Sequence, residues 1–234
     1  MTHPTIPDRV PAGATPEGDG VVAGPGPVRI DAFIDFLCPF CKRFELSSGP
    51  TLAGLVADGL ASLVYHPMNF LDEASTTHYS TRAAASSGCA ADYGRFLEYA
   101  HALFVNQPPE GGPGLTDAEL AAIGRGVGLD TAFTACLSEG PYLDWPPYVT
   151  ARAVAAGVSG TPTVLVDGVV VAPEPQVITA AVAQVARRLV RVPRRSTLSR
   201  PQLFLGMQSR FTRHSLRCAV PGRVSGPSRA GPRR

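Results

Sequence analysis

The stretch VRIDAFIDFLCPFCKRFE, residues 28–45, decides how the rest of the chain is read. Val28, Ile30, Ala32, Ile34 and Phe36 share one parity, the two-residue period of a strand lining a core. Phe33 and Leu37 break the polarity of the other face, which predicts a central strand. Cys38 follows at once, and then Pro39, which suits the first position of a helix because its missing N–H costs nothing there. Beyond it Cys41, Phe44, Ser48, Leu52 and Leu55 recur at helical spacing. Cys38 is therefore expected at the N-cap, at the open end of the helix, with Cys41 one turn deeper on the buried face. Gly49-Pro50 is expected to kink or break this helix.

Two cysteines three residues apart at a strand-to-helix junction read as a redox dithiol. The thiolate is the nucleophile in disulfide exchange, and free cysteine at neutral pH is mostly thiol. The unpaired N–H groups and partial positive charge of a helix N-terminus favour the thiolate, and Lys42 adds a nearby cation. Cys38 is thus expected to have a pKa well below the free value and to attack, while Cys41 resolves the mixed disulfide. Two other readings compete. Half a zinc site would need a second Cys or His pair at close spacing, which Cys89 and Cys136 do not form and no histidine pair supplies. An inert buried pair fits poorly with Pro39-Phe40 between the sulfurs.

The 234 residues allow one large domain or two small ones. The net charge of +2 hides an asymmetry: residues 1–192 hold 11 basic and 19 acidic residues, a body of net −8, and the last 42 hold ten arginines and no acid. Residues 1–27 are rich in Pro and Gly, with no charged start followed by an apolar run. No window approaches the roughly 20 apolar residues of a membrane helix. Taken as written the protein is expected in the cytosol, without a membrane span; a start further upstream encoding an export signal would move it. Cysteines in that compartment favour catalytic or metal roles over a structural framework.

Along the chain, residues 1–19 read as a flexible leader, and Gly20 to Ala23 as a short edge strand. Residues 60–66 make a second core strand. Helical patterns run over 75–91 and 94–106, then after a Thr116/Glu119 capping box, after Asp130 as a cap, and over 147–157. Thr163–Val166, an Asp167-Gly168 turn and Val169–Ala172 form a hairpin. A final helix places Ile178, Ala181, Val182, Val185 and Leu189 on one side. The order is an α/β sheet interrupted by a helical insertion, with a first half at 20–74, the insertion at 75–157 and a second half at 158–192. Residues 193–234 read as a disordered basic tail without function, the other reading being attachment to nucleic acid or a membrane surface. Cys218 lies in that tail and is incidental.

Asp35-Phe36-Leu37-Cys38-Pro39-Phe40-Cys41, a helical insertion, and then Gly160-Thr161-Pro162-Thr163 leading into a hairpin resemble the DsbA family, in its actinobacterial form. Those proteins are disulfide oxidoreductases with a thioredoxin fold and an inserted helical domain, and the resemblance spans roughly residues 20–190. It implies exchange with protein or peptide thiols and disulfides, without metal or organic cofactor. It implies that Pro162 is a cis-proline facing the dithiol, and that the Thr161 backbone pairs with an extended substrate beside Cys38, on a surface that includes Pro39 and Phe40. It also leaves two states open for Cys89 and Cys136: a second disulfide joining two helices, as in some relatives, or buried free thiols, as a reducing cytosol would favour.

Two departures qualify the likeness. Many relatives carry an acid six residues before the first cysteine, where this chain has Ala32; Asp35 or Glu45 could substitute, though each reads better as a solvated or partner-bonded carboxylate. Strong oxidants of the family have His where Phe40 stands, so this chain is expected to be a weaker oxidant, a point its redox potential would check. His66 and the aromatic run Tyr142–Tyr148 could line the site, but a structural histidine and core packing are the better readings. His78 and His101 propose no metal site, and no phosphate loop, serine triad or nucleotide fingerprint is present. A single-cysteine thiol transferase or isomerase for small molecules and a non-catalytic binding module remain the rival functions. A reducing cytosol favours reductase or isomerase work, and export would favour oxidative folding.

Overall fold

The computed structural model describes residues 4–191. Its sheet has strand order β1-β3-β2-β4-β5, with β1 Val21–Ala23, β2 Val28–Ile34, β3 Ala61–Pro67, β4 Thr163–Val166 and β5 Val169–Val171. β2 is central, running parallel to β3 and antiparallel to β4. Val28, Ile30, Ala32 and Ile34 are fully buried, and Phe33 on the opposite face nearly so. Cover on both faces explains why this strand reads as an almost unbroken apolar run. The chain is a mixed α/β protein of the class expected.

Helix α1, Pro39–Ala57, and the last described helix, Pro175–Arg191, pack beside the sheet. α1 does not break at Gly49-Pro50: Pro50 lies inside one continuous helix. Pro50 and Leu46, whose carbonyl loses its N–H partner, stand one turn apart on the exposed side, where water can satisfy that carbonyl. Leu189 is also corrected. Ile178 and Val182 are buried, but Leu189 is 49% exposed, because the helix outruns the four-residue β4 and three-residue β5 that it covers. The hairpin between those strands turns on Asp167 and Gly168 with φ of 51° and 78°, the pair of positive angles that a tight two-residue turn needs.

Between β3 and β4 lie a short 3-10 turn, Asp72–Ala74, and helices α2 Tyr79–Asp92, α3 Phe96–Val105, α4 Asp117–Gly126, α5 Thr131–Glu139 and α6 Trp145–Ala155; the last described helix is α7. α2 is the hub. Its small residues, buried from Ala83 to Ala91, let α3, α4, α5 and α6 all pack against it. Thr116 and Glu119 form the expected capping box of α4, and Asp130 caps α5 through the Ala132 N–H. Cys89 of α2 and Cys136 of α5 are joined in a disulfide, the first of the two states the sequence left open.

The aromatic side chains of the run that leads into α6, Tyr142, Trp145 and Tyr148, pack into the core. Trp145 is fully buried and its indole N–H donates to the Gly18 carbonyl at 2.8 Å. The Tyr148 hydroxyl donates to the Glu17 carbonyl, and Arg152 pairs with Asp19 at 3.1 Å. The leader expected to be flexible thus makes specific contacts with α6, and Ala14 bridges to Val21 of β1. The basic tail and Cys218 lie outside the described residues. Among those described, no helix is long and apolar enough to cross a membrane, and no cluster of metal-ligating side chains occurs.

Candidate active site

β2 delivers the chain to a tight turn at the carboxyl end of the strand, where the Cys38 N–H donates to the Asp35 carbonyl at 3.0 Å. Cys38 then takes an extended N-cap conformation, φ −72° and ψ 120°, and Pro39 opens α1. Cys38 and Cys41 are both reduced. Cys41 is fully buried, as its helical spacing implies. Cys38 is less open than expected, at 4% exposure, because the loop before β4 folds over it. The Thr161–Pro162 peptide of that loop is cis, and Cys38 Sγ lies 3.3 Å from the Thr161 carbonyl, to which the protonated thiol donates.

The two thiols are pushed in opposite directions. The Cys38 pKa is lowered to about 6, first by a hydrogen bond from the Cys41 thiol. The Thr161 side chain and the N–H groups of Cys41 and Phe40 at the helix start act in the same sense, and burial opposes them. Burial pushes the Cys41 thiol well above its usual range, and donation to Cys38 pushes it further. One sulfur is thus an anion at neutral pH and the other holds its proton. Lys42 contributes less than its position suggests, since its ammonium is committed to the Val105 carbonyl at 3.3 Å.

This division predicts a pH profile. Of the two site cysteines, iodoacetamide should modify Cys38 alone in the reduced protein, with a rate that rises through a midpoint near pH 6 and levels off above it. The sign for stability follows from the same shift: a depressed thiol pKa makes the reduced fold gain on its unfolded chain as pH rises from about 6 towards the free-thiol range, and lose that gain on acidification. A midpoint in the range of free cysteine would show that Cys38 is not activated.

Both carboxylates considered for the missing acid are partner-bonded. Glu45 is buried on α1, accepting from the Tyr65 hydroxyl at 2.8 Å and lying 3.1 Å from His101 Nδ1. Asp35 is fully buried and its carboxyl accepts from the Leu37 N–H, the Leu71 N–H and the Ser80 hydroxyl. Burial raises its pKa to about 6. Ala32 itself is sealed between Tyr65 and Val164. His66 is structural, stacked on Phe33 and held between Asp31 and the Asp19 carbonyl.

One residue at the turn escaped the sequence reading. Gln107, just after α3, donates through Nε2 to the Phe36 and Cys38 carbonyls at 2.9 and 3.0 Å. Its targets are main-chain atoms about 70 positions away, which leave no mark in a local pattern.

Two grooves flank the Cys38-Pro39-Phe40 ridge. One, of about 360 Å³, is lined by Phe40, Arg43, Phe44, Thr161, Pro162 and Glu174. Phe40 is 59% exposed and carries the Arg43 guanidinium 5.4 Å from its ring centre. The other, of about 460 Å³, is lined by Leu37, Pro39, Gln107, Pro108, Pro109 and Glu110. An activated thiolate, a buried thiol partner and a groove on either side are an arrangement that can perform thiol exchange.

Residues 23–183 match the family described as Thioredoxin. The fold is similar to the crystal structure of oxidised DsbA from Mycobacterium tuberculosis, with a TM-score of 0.64 and 32% identity over 72% of this chain and 93% of that one. It is also similar to reduced DsbG of the same organism, a disulfide bond oxidoreductase, with a TM-score of 0.63 and 33% identity over 76% of this chain and 89% of that one. In sequence the chain is 36% identical over 152 residues to the serine/threonine-protein kinase PknE of M. tuberculosis, a likeness that takes in 61% of this chain and only 26% of the kinase.

Proposed function

From the fact that the chain belongs to the DsbA-like family of thioredoxin-fold disulfide oxidoreductases, we propose that Cys38 and Cys41 are the pair through which it exchanges disulfides with protein substrates. The single observation that carries this assignment is the placement of Cys38 at the N-cap of α1 beside the cis Thr161–Pro162 peptide, with Cys41 fully buried one turn deeper. When the pair is reduced, the Cys38 thiolate attacks one sulfur of a substrate disulfide, forming a mixed disulfide and releasing the other sulfur as thiolate. Cys41 then attacks Cys38 Sγ, its proton passing to the departing substrate sulfur, and the enzyme disulfide forms as the substrate gains two electrons. Run backwards, the same steps oxidise a substrate dithiol.

Thr161 and Pro162 on one side, and Pro39 and Phe40 on the other, are the residues that would position the substrate. Grooves on both sides of the ridge favour an extended polypeptide over a small thiol, which would use neither in full. Phe40, standing where the strong oxidants of the family carry His, supports a weaker oxidant than those. The Cys89–Cys136 bridge supports work in an oxidising compartment, where net oxidation of substrates is the favoured direction, rather than the cytosolic setting expected from the sequence.

The test is a trap. Cys41→Ser should accumulate a mixed disulfide between Cys38 and a cysteine-containing peptide, visible by mass spectrometry and released by reductant. Full turnover by the Cys41→Ser variant with a small thiol would instead identify a single-cysteine transferase, and no adduct in any form would identify a binding module.

A further inference from the structure

The Asp35 carboxylate takes no part in the exchange steps, yet it is fully buried beside both cysteines. It joins three separate pieces of chain. Oδ1 accepts from the Leu37 N–H at 2.8 Å and from the Ser80 hydroxyl of α2 at 2.6 Å, and Oδ2 accepts from the Leu71 N–H, ahead of the 3-10 turn, at 2.8 Å. The main chain of the same residue holds the dithiol. Its carbonyl accepts from the Cys38 N–H at 3.0 Å, and its N–H donates to Cys41 Sγ at 3.5 Å.

Resting on the reading of Cys38 and Cys41 as the exchanging pair, we propose that Asp35 is the positioning residue of the redox turn, bolting it to the helical insertion and setting, through its buried negative charge, how readily Cys38 ionises. The bolt follows from geometry. A carboxylate with both oxygens occupied fixes its donors more firmly than a neutral acceptor does, and here the donors are the turn itself, the loop after β3 and α2 of the insertion. The charge follows from burial. Carboxylate and thiolate are like charges in one poorly solvated region, so each disfavours the other.

The neighbouring ionisable groups do not cancel this repulsion. Cys41 of α1 keeps its proton, and burial holds the Tyr79 phenol of α2 neutral. Asp72, on the adjoining turn, is committed to Thr81 and Asn69, and Lys42 to Val105. No cation pairs with Asp35 among the described residues. Coupling of this kind is reciprocal: when Cys38 loses its charge in the disulfide, Asp35 should ionise more readily.

Two experiments read this without relying on turnover. In the unsubstituted protein, the side-chain carboxyl carbon of Asp35 is titrated by NMR in the dithiol and disulfide forms. The expected midpoint is lower in the disulfide by about one pH unit; equal midpoints overturn the electrostatic coupling. In Asp35→Asn, which removes the charge and turns an amide towards the Leu71 N–H, the alkylation midpoint of Cys38 should fall by about one pH unit. Amide exchange at Leu37 and Leu71 should quicken by about tenfold or more. An unchanged Cys38 midpoint with only a lowered Tm would reduce Asp35 to an ordinary structural group and overturn the proposal. A protein that ionises as expected but traps no peptide would instead sink the exchange reading and leave the role of Asp35 in place.

Discussion

Cys38→Ser is expected to lower the rate of peptide disulfide exchange to that of the uncatalysed reaction, at every pH. The reason is the nucleophile itself. A serine hydroxyl at this N-cap would receive the same N–H groups as Cys38, but it stays protonated near neutrality and cannot form a disulfide. The fold should survive, because a serine hydroxyl can keep the contact that Cys38 Sγ makes with the Thr161 carbonyl. Circular dichroism should therefore match the unsubstituted protein while insulin reduction vanishes. Residual exchange through Cys41 alone would contradict the assignment, since burial keeps that thiol protonated.

The second large effect concerns stability. Replacing both Cys89 and Cys136 by alanine should lower the unfolding free energy by about 4 kcal/mol, the chain-entropy value for a closed loop of this length; the bridge spans 47 positions. For a chain of this size that corresponds to a fall in Tm of roughly 8–16 °C, measured by calorimetry without reductant. The loss should fall on the helical insertion, because the bridge ties α2 to α5, and α5 buries little else in full beyond Phe133. A Tm unchanged within a degree or two would show that α5 is held by packing alone.

The parts of the molecule legible in the sequence are those governed by local rules. β2 was visible because cover on both faces leaves a continuous apolar strand, and α1 because Pro39 and the spacing of Cys41, Phe44 and Ser48 mark a start and a buried side. The capping box at Thr116 and the Asp167-Gly168 turn are likewise written within four residues. What was not legible depends on which way a residue faces or on distant main-chain atoms. Pro50 does not break α1 because it lies on the wet side, and nothing near it in sequence says so. Leu189 continues the apolar period of α7 past the end of the strands beneath it.

At the site the same distinction holds. Cys38, Cys41, Thr161 and Pro162 were found from a motif and its partner. Gln107, Ser80 and the Leu71 N–H were not, because their bonds to the redox turn come from residues 36 to 71 positions away in the chain. Asp35 was noticed for its charge, but its role as a junction appears only when its three donors are in place.

Trp145 carries a practical consequence. It is the sole tryptophan in the chain, it is fully buried, and its N–H is bonded to the carbonyl of Gly18. The intrinsic fluorescence of this protein is therefore a reporter placed at the seam between the first residues and α6. Lifting that segment away would wet the indole and shift its emission to the red even with the sheet intact, so the light it gives off gauges whether the amino-terminal strap is seated.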